Sequence, residues 1–393
     1  MKGAKILIIL VLSILIVNLI SAAEIIINEE PSGPYNIGDS LEIPVKIISN
    51  TNIQEKFIMN LLCNGKESVF YQNGVQIAAG EEESFNPILI FDKSSVAGLN
   101  GTCKVKAKLG EEFKLTNSFE VSSLINIEID LNKSVYLPGE KIDFVGKAKT
   151  DSGRNVDGLV SVKVSNDSYS RSLVSTDSVR NGFFRLSLEI PEDMPAGSYP
   201  FILDVYERNF QEEKTNRGQE ILKLDVKQVP TSTEVIINNS EINPGEKVSV
   251  KVILHDQSGE SINSTAILTA KTREGEIKYR VQEDTGKNVE IEIPNGEKPG
   301  QWTLEAESEG ITGKNSFKIL EYRNLDLNIV NNTVIVKNTG NVPYNKSIFF
   351  RVGNETLTLD LNLQVGEEDE YLLSAPEGVY DVEVSLDEGV YTV

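Results

Sequence analysis

The chain has 393 residues, with 59 acidic against 38 basic side chains, a net charge of −21, one histidine and two cysteines. Acidity spread along the whole length, with no basic stripe, excludes nucleic acid as a partner, because nothing is there to neutralise phosphates. A single histidine and two cysteines leave no thiolate–imidazole set for a metal, and no cofactor is expected.

The N-terminus comes first. Met1-Lys2-Gly3-Ala4-Lys5 is a basic head, Ile6 to Ile20 is apolar apart from Ser13 and Asn18, and Ser21-Ala22-Ala23 supplies small residues. That order is a signal peptide over 1–23, cut before Glu24, and it places the protein outside the cell or on its surface. Left uncut, the same segment would be a membrane anchor, the chain's only route to a membrane. No cysteine follows it, so no lipoprotein anchor is expected.

Beyond it, the elements read as strands. The turn Asn36-Ile37-Gly38-Asp39 precedes the alternation Leu41, Ile43, Val45, Ile47. Cys63 follows Phe57, Met59 and Leu61 at even spacing, and Cys103 leads Val105, Ala107 and Leu109 while Lys104, Lys106 and Lys108 take the wet face. Two inward cysteines in one exported sandwich predict a Cys63–Cys103 disulfide cross-linking its two sheets. Such a bridge is worth about 3–4 kcal/mol on the chain-entropy view. Val121-Ser122-Ser123 ends this first segment, 24–123.

The second segment, 124–228, opens again with Leu137-Pro138-Gly139-Glu140, then Ile142 and Phe144, and closes on Gly197-Ser198-Tyr199. The third, 229–321, repeats Asn243-Pro244-Gly245-Glu246, then Val248, Val250, Val252, Leu254, and closes on Gly300-Gln301-Trp302. Trp302 heads the alternation Trp302, Leu304, Ala306 and is expected in the core. Oxygen-rich loops at matching places, 151–158 and 256–260, lack the spacing of a helix-loop-helix calcium site and suit hairpin turns. His255 lies between them, where a strand runs into a turn, and is read as an exposed turn residue. The fourth segment, 322–393, holds the ladder Leu357, Leu359, Leu361, Leu363 and the closing Gly378-Val379-Tyr380. Its last strand, from Tyr380 to Leu386, has only Val390 to Val393 to pair back: the expectation is a chain cut short of further domains or a naturally short last strand, the alternative an edge that accepts a neighbour's strand and so self-association through this last domain.

A repeat of turn, period-two ladder and Gly-x-aromatic strand, with helical spacing nowhere sustained, predicts an all-β fold: a tandem array of immunoglobulin-like β-sandwiches. The joints are short, so a semi-extended rod is expected. Eight Asn-x-Ser/Thr sequons, at Asn100, Asn132, Asn166, Asn238, Asn263, Asn331, Asn345 and Asn354, are candidate glycosylation sites.

Tyr136-Leu137-Pro138-Gly139-Glu140 with Gly197-Ser198-Tyr199, and Pro244-Gly245-Glu246 with Gly300-Gln301-Trp302, resemble the macroglobulin-type immunoglobulin-like domain over about half the chain. That resemblance implies a fold. The family's protease-trapping members carry a Cys-Gly-Glu-Gln thioester, which neither Cys63-Asn64-Gly65 nor Cys103-Lys104-Val105 matches, so trapping is not implied. Val336-Lys337-Asn338-Thr339-Gly340-Asn341 resembles the short adhesion-type repeats of prokaryotic, especially archaeal, cell-surface proteins.

No Gly-rich phosphate loop, nucleophile triad or singled-out carboxylate pair appears, so an enzyme is not expected. The features point to an exported cell-surface structural or adhesion protein whose partner is a surface protein or glycan. The alternative is a polysaccharide- or peptide-binding module serving a separate enzyme.

Overall fold

A computed structural model describes residues 23–92, 100–166, 169–374, 378, 380, 382–386 and 389–392. The signal segment 1–22 and parts of the last hairpin lie outside the described residues. Every regular element described is a strand, and the strands assemble into β-sandwiches in tandem. The chain divides into two compact units, one ending at Ile190 and resuming over Ser198–Asp225, the other formed by Pro191–Gly197 and Val226 onward.

In the first unit, the first sandwich faces the strands Ala23–Ile27, Val45–Ser49 and Glu82–Phe85 against a larger sheet. The larger sheet runs Pro34–Asn36, Phe119–Ser122, Gly101–Leu109, Ile53–Cys63, Lys66–Ile77. Alternation decides which side chains meet between the layers. Phe57, Met59, Leu61, Val105 and Ala107 from one sheet and Val45, Ile47 and Phe85 from the other are all buried. The Phe57 and Phe85 rings lie 5.2 Å apart across the gap. Each such large side chain taken out of water stabilises by about 1.5–3 kcal/mol.

Cys63 and Cys103 are bonded, but not between sheets. They sit directly opposite each other on the neighbouring antiparallel strands Ile53–Cys63 and Gly101–Leu109, on the inner face of one sheet. Period two correctly gave both residues an inward phase. It cannot say which layer an inward residue belongs to, and here both belong to the same one.

The second sandwich is a single eight-stranded sheet folded on itself. Its strand Lys141–Thr150 is buried at every second residue, ending on Ala148 and Thr150. Tyr169–Arg180 and Phe183–Glu189 pair at Val179↔Phe184 and Arg180↔Phe183, and Ser175 Oγ donates to Ser187 O at 2.9 Å farther along. Phe144 and Phe201 meet across the resulting core, with ring centroids 6.1 Å apart.

In the second unit, Pro230–Ile237, Lys247–Asp256, Ser261–Ile262 and Asn288–Glu292 form one sheet. Facing it is a five-stranded sheet ordered Glu241–Ile242, Ile311–Ile319, Gly300–Ser308, Thr265–Lys271, Ile277–Asp284. Trp302 is buried there against Phe317, at 5.6 Å between ring centres, as its alternation requires. The last sandwich pairs Leu325–Val330, Thr333–Asn338 and Glu368–Leu372 in one sheet. The other holds Glu355–Asp360, Ser347–Val352, Val382–Leu386 and Gly389–Thr392. The leucine ladder keeps its phase, but its strand stops at Asp360, and Leu361 and Leu363 are buried beyond it. Tyr380 precedes the strand Val382–Leu386 rather than opening it, and Gly389–Thr392 pairs back over Glu383 to Leu386.

Candidate functional site

The recurrent turn owes its form to three residues. Proline, or Ile37 in the first copy, enters the bend; a glycine at positive φ (97°, 77° and 85° at Gly38, Gly139 and Gly245) completes it. The acid then accepts the N–H of the residue three before it. Asp39 Oδ2 takes Asn36 N at 2.8 Å, Glu140 Oε2 takes Leu137 N at 2.7 Å, and Glu246 Oε2 takes Asn243 N at 3.1 Å. Lys133, hydrogen-bonded to Glu140, and the Leu137 N–H hold the Glu140 carboxyl below its ordinary range. The Asn243 backbone N–H does the same for Glu246.

In the first copy this turn also carries a buried polar cluster joining the two sandwiches of the first unit. Arg154, in the loop after Lys141–Thr150, points its fork at Glu207 with bonds of 2.8 and 2.9 Å. Its Nε reaches Asp39 Oδ1 at 3.0 Å, and Nη2, which also bonds Glu207 Oε2, donates to the Ile37 carbonyl at 3.3 Å. The Glu207 contacts, ahead of those to Asp39, push the Arg154 pKa further up, so the guanidinium stays charged at any working pH. Asn216 donates to Ile37 O at 2.7 Å and to Glu207 Oε2 at 2.6 Å. Asn36 Nδ2 donates to Leu124 O at 3.1 Å and Asn216 Oδ1 at 3.3 Å, while its Oδ1 accepts Ser152 N at 2.9 Å. Asn36 and Asn216 have no exposed surface, and every polar atom they carry is used.

This cluster explains the loop over 151–158. Asp151 accepts Ser122 Oγ at 2.5 Å, across the joint, and Asn126 Nδ2 at 2.8 Å within its own sandwich. The matching loop behaves alike: Asp256 Oδ1 accepts Ser258 N, Ser258 Oγ and Glu260 N, and its Oδ2 accepts Gln228 Nε2. These are turn and joint acceptors, and no group of three or more metal-type side chains gathers among the described residues. His255 departs slightly from expectation. It is the penultimate residue of Lys247–Asp256 and half-buried, with Nε2 2.9 Å from Glu234 Oε2 and Nδ1 3.0 Å from Gly259 O. The Glu234 hydrogen bond, then the Gly259 carbonyl, raise its pKa.

Beside the cluster a cleft of about 840 Å³ opens, lined by Ile37, Ile90, Phe91, Arg154, Glu207 and Phe210 among others. Phe210 projects from the Asn209–Glu213 turn with its whole surface exposed, and Ile90 is more than half exposed. Sequence reading missed Glu207, Asn216 and Phe210. The one signal was Arg154, a lone cation in an otherwise neutral and acidic loop.

Of the sequons, Asn100, Asn132, Asn238, Asn263, Asn331, Asn345 and Asn354 are exposed. Asn166 ends a described strand, its side chain lying outside the described residues. Asn331 sits at a hairpin tip with φ of 59°.

No protein-family model matches the sequence, and no curated protein does. Among solved structures the chain is similar to the native conformation of Escherichia coli α-2-macroglobulin, at 10% identity and a TM-score of 0.23, over 92% of this chain and 28% of that one. It is also similar to Salmonella α-2-macroglobulin reacted with methylamine, at 11% identity and a TM-score of 0.22, over 95% of this chain and 30% of that one. The chain thus spans about a third or less of the length of these structures.

Proposed function

We propose that the protein is an exported cell-surface structural or interaction protein, working through its tandem immunoglobulin-like sandwiches and not through catalysis. The observation that carries this reading is the Arg154–Glu207–Asp39 cluster with Asn36 and Asn216. A fully satisfied polar network between two sandwiches fixes their geometry, because any rotation would leave buried charges unpaired. A protein that presents surfaces at set positions needs such joints; an enzyme needs a cleft with an activated group, and the sole histidine is tied to Glu234 and a carbonyl. The signal-like N-terminus and the adhesion-type resemblance over 336–341 support export to the surface.

The test is localisation in producing cells. Protease applied to intact cells should remove the protein while leaving an internal marker untouched. Retention inside the cell would reject the reading.

The cleft beside Phe210 favours a second reading, a binding module for polysaccharide or peptide serving a separate enzyme. Phe210→Ala should then abolish retention of a glycan- or peptide-array ligand without changing the circular dichroism. Undiminished retention rejects this version alone.

A further inference from the structure

The outer face of the first sandwich's larger sheet carries a group that the joint does not explain. Asn60 and Lys106 are directly opposed on the paired strands Ile53–Cys63 and Gly101–Leu109, where facing Cβ atoms lie roughly 4.5–5.5 Å apart. Glu67, on the next strand, touches both: its Oε1 accepts Asn60 Nδ2 and lies 3.5 Å from Lys106 Nζ. The pairing with that strand shifts by a bulge between Met59 and Asn60. Asn60 is 8% exposed, and its Oδ1 is a buried side-chain oxygen without a hydrogen-bond partner. A buried acceptor without a partner is destabilising and calls for a reason.

We propose that Lys106 Nζ and Asn60 Cγ become joined by an amide bond across the two strands, with Glu67 as proton carrier. An amine, a carboxamide carbon and a carboxylate held together by strand register form an intramolecular acyl-transfer site, and enforced proximity supplies most of the acceleration. The atoms balance without oxidant or cofactor. The Lys106 ammonium gives one proton to Glu67, and the neutral amine attacks Asn60 Cγ. As the Nζ–Cγ bond forms, a second amine proton moves to Nδ2, the Cγ–Nδ2 bond breaks and ammonia departs. Ammonia takes the proton held by Glu67 and leaves as ammonium, restoring the carboxylate. Cys63–Cys103 clips the same strand pair three residues away on the opposite face. The two bonds would hold this pair from both sides, and the reaction requires neither export nor a ligand.

Peptide mapping of the purified full chain after thiol reduction tests the proposal. Trypsin should release residues 57–66 joined to 105–108, short of the summed peptide masses by one ammonia, with no cleavage after Lys106. Lys106→Arg and Glu67→Gln should each restore separate peptides at full mass, with the unreduced Cys63–Cys103 linkage confirming that the strands still pair. Separate peptides from the parent chain overturn it, as does an ammonia loss confined to 57–66, the mark of an imide at Asn64-Gly65. A linked peptide that persists in Lys106→Arg overturns it too.

Discussion

Replacing Arg154 by alanine removes four donor contacts at once and leaves their acceptors behind. The Glu207 side chain is 10% exposed and that of Asp39 13%, so both carboxylates would be stranded in a largely dry joint. Removing one partner of a buried pair costs about 3–5 kcal/mol. Two features lower that here. Arg154 itself keeps 37% of its side chain in water, and Glu207 retains Asn216 Nδ2 and the Asp157 N–H while Asp39 retains Asn36 N. A loss of about 2–3 kcal/mol remains. Arg154→Lys should recover less than half of it, since one ammonium cannot serve a two-oxygen fork and Asp39 together. Urea unfolding of the full chain measures this, read by circular dichroism. The sole tryptophan, Trp302, is buried in the other unit and gives an internal reference by emission. The dichroism transition should move to lower urea while the Trp302 transition stays in place. A loss under about 0.5 kcal/mol, the ordinary range for a surface change, would refute the claim that this cluster fixes the joint.

Other outcomes follow from single groups. Glu305 is held at about 2, below the ordinary 4.5, by hydrogen bonds from Lys271 and Lys314. A depressed carboxylate stabilises above its unfolded value and loses that contribution as pH falls through its folded one. The third sandwich should therefore weaken between about pH 4.5 and 2, and Glu305→Gln should flatten that slope in Trp302 emission; an unchanged slope tells against it. His255 is raised by Glu234, so its imidazole should titrate above 6.5 by NMR and fall back in Glu234→Gln. The stability it adds is full below 6.5 and disappears as pH rises through the raised value. Asn341, 2% exposed, accepts Tyr322 N and donates to the Glu297 and Leu320 carbonyls. Asn341→Ala should cost the second unit about 2 kcal/mol in urea, and a neutral result would remove it from the joint. Unfolded, unreduced protein should show no free thiol with a thiol reagent, given the Cys63–Cys103 bond; two thiols would contradict it.

The sandwiches were legible because two local rules hold almost without exception. Alternation placed Phe57, Met59, Leu61, Val105 and Ala107 inward, and all five are buried. The Pro-Gly-acid spelling fixed a turn whose glycine needs positive φ and whose acid caps the N–H three residues back. Neither rule carries information across layers, so the cysteines could be given a phase but not a sheet. The joint was illegible for a further reason. Asn36 and Asn216 are 180 positions apart, and asparagine is as common in an exposed turn as in a buried network. Only the fold brings the charge of Glu207 to Arg154, across 53 residues.

In the loops over 151–158 and 256–260 one oxygen-rich pattern serves both the bend and the linker before it. Asp, Asn, Ser and Gly cluster there because the bend must be tight and its N–H groups need acceptors. The same oxygens then catch the segment arriving from upstream: Asp151 takes Ser122 Oγ, and Asp256 takes Gln228 Nε2. In the last sandwich Asn341 stands just after the corresponding strand, Thr333–Asn338, and takes Tyr322 N. Three loops at one place in the sandwich thus receive three incoming linkers through a carboxylate or carboxamide oxygen. The repeating unit is therefore a sandwich together with a latch for the linker before it. A short polar linker is sufficient because its fixed partner is built into the next domain.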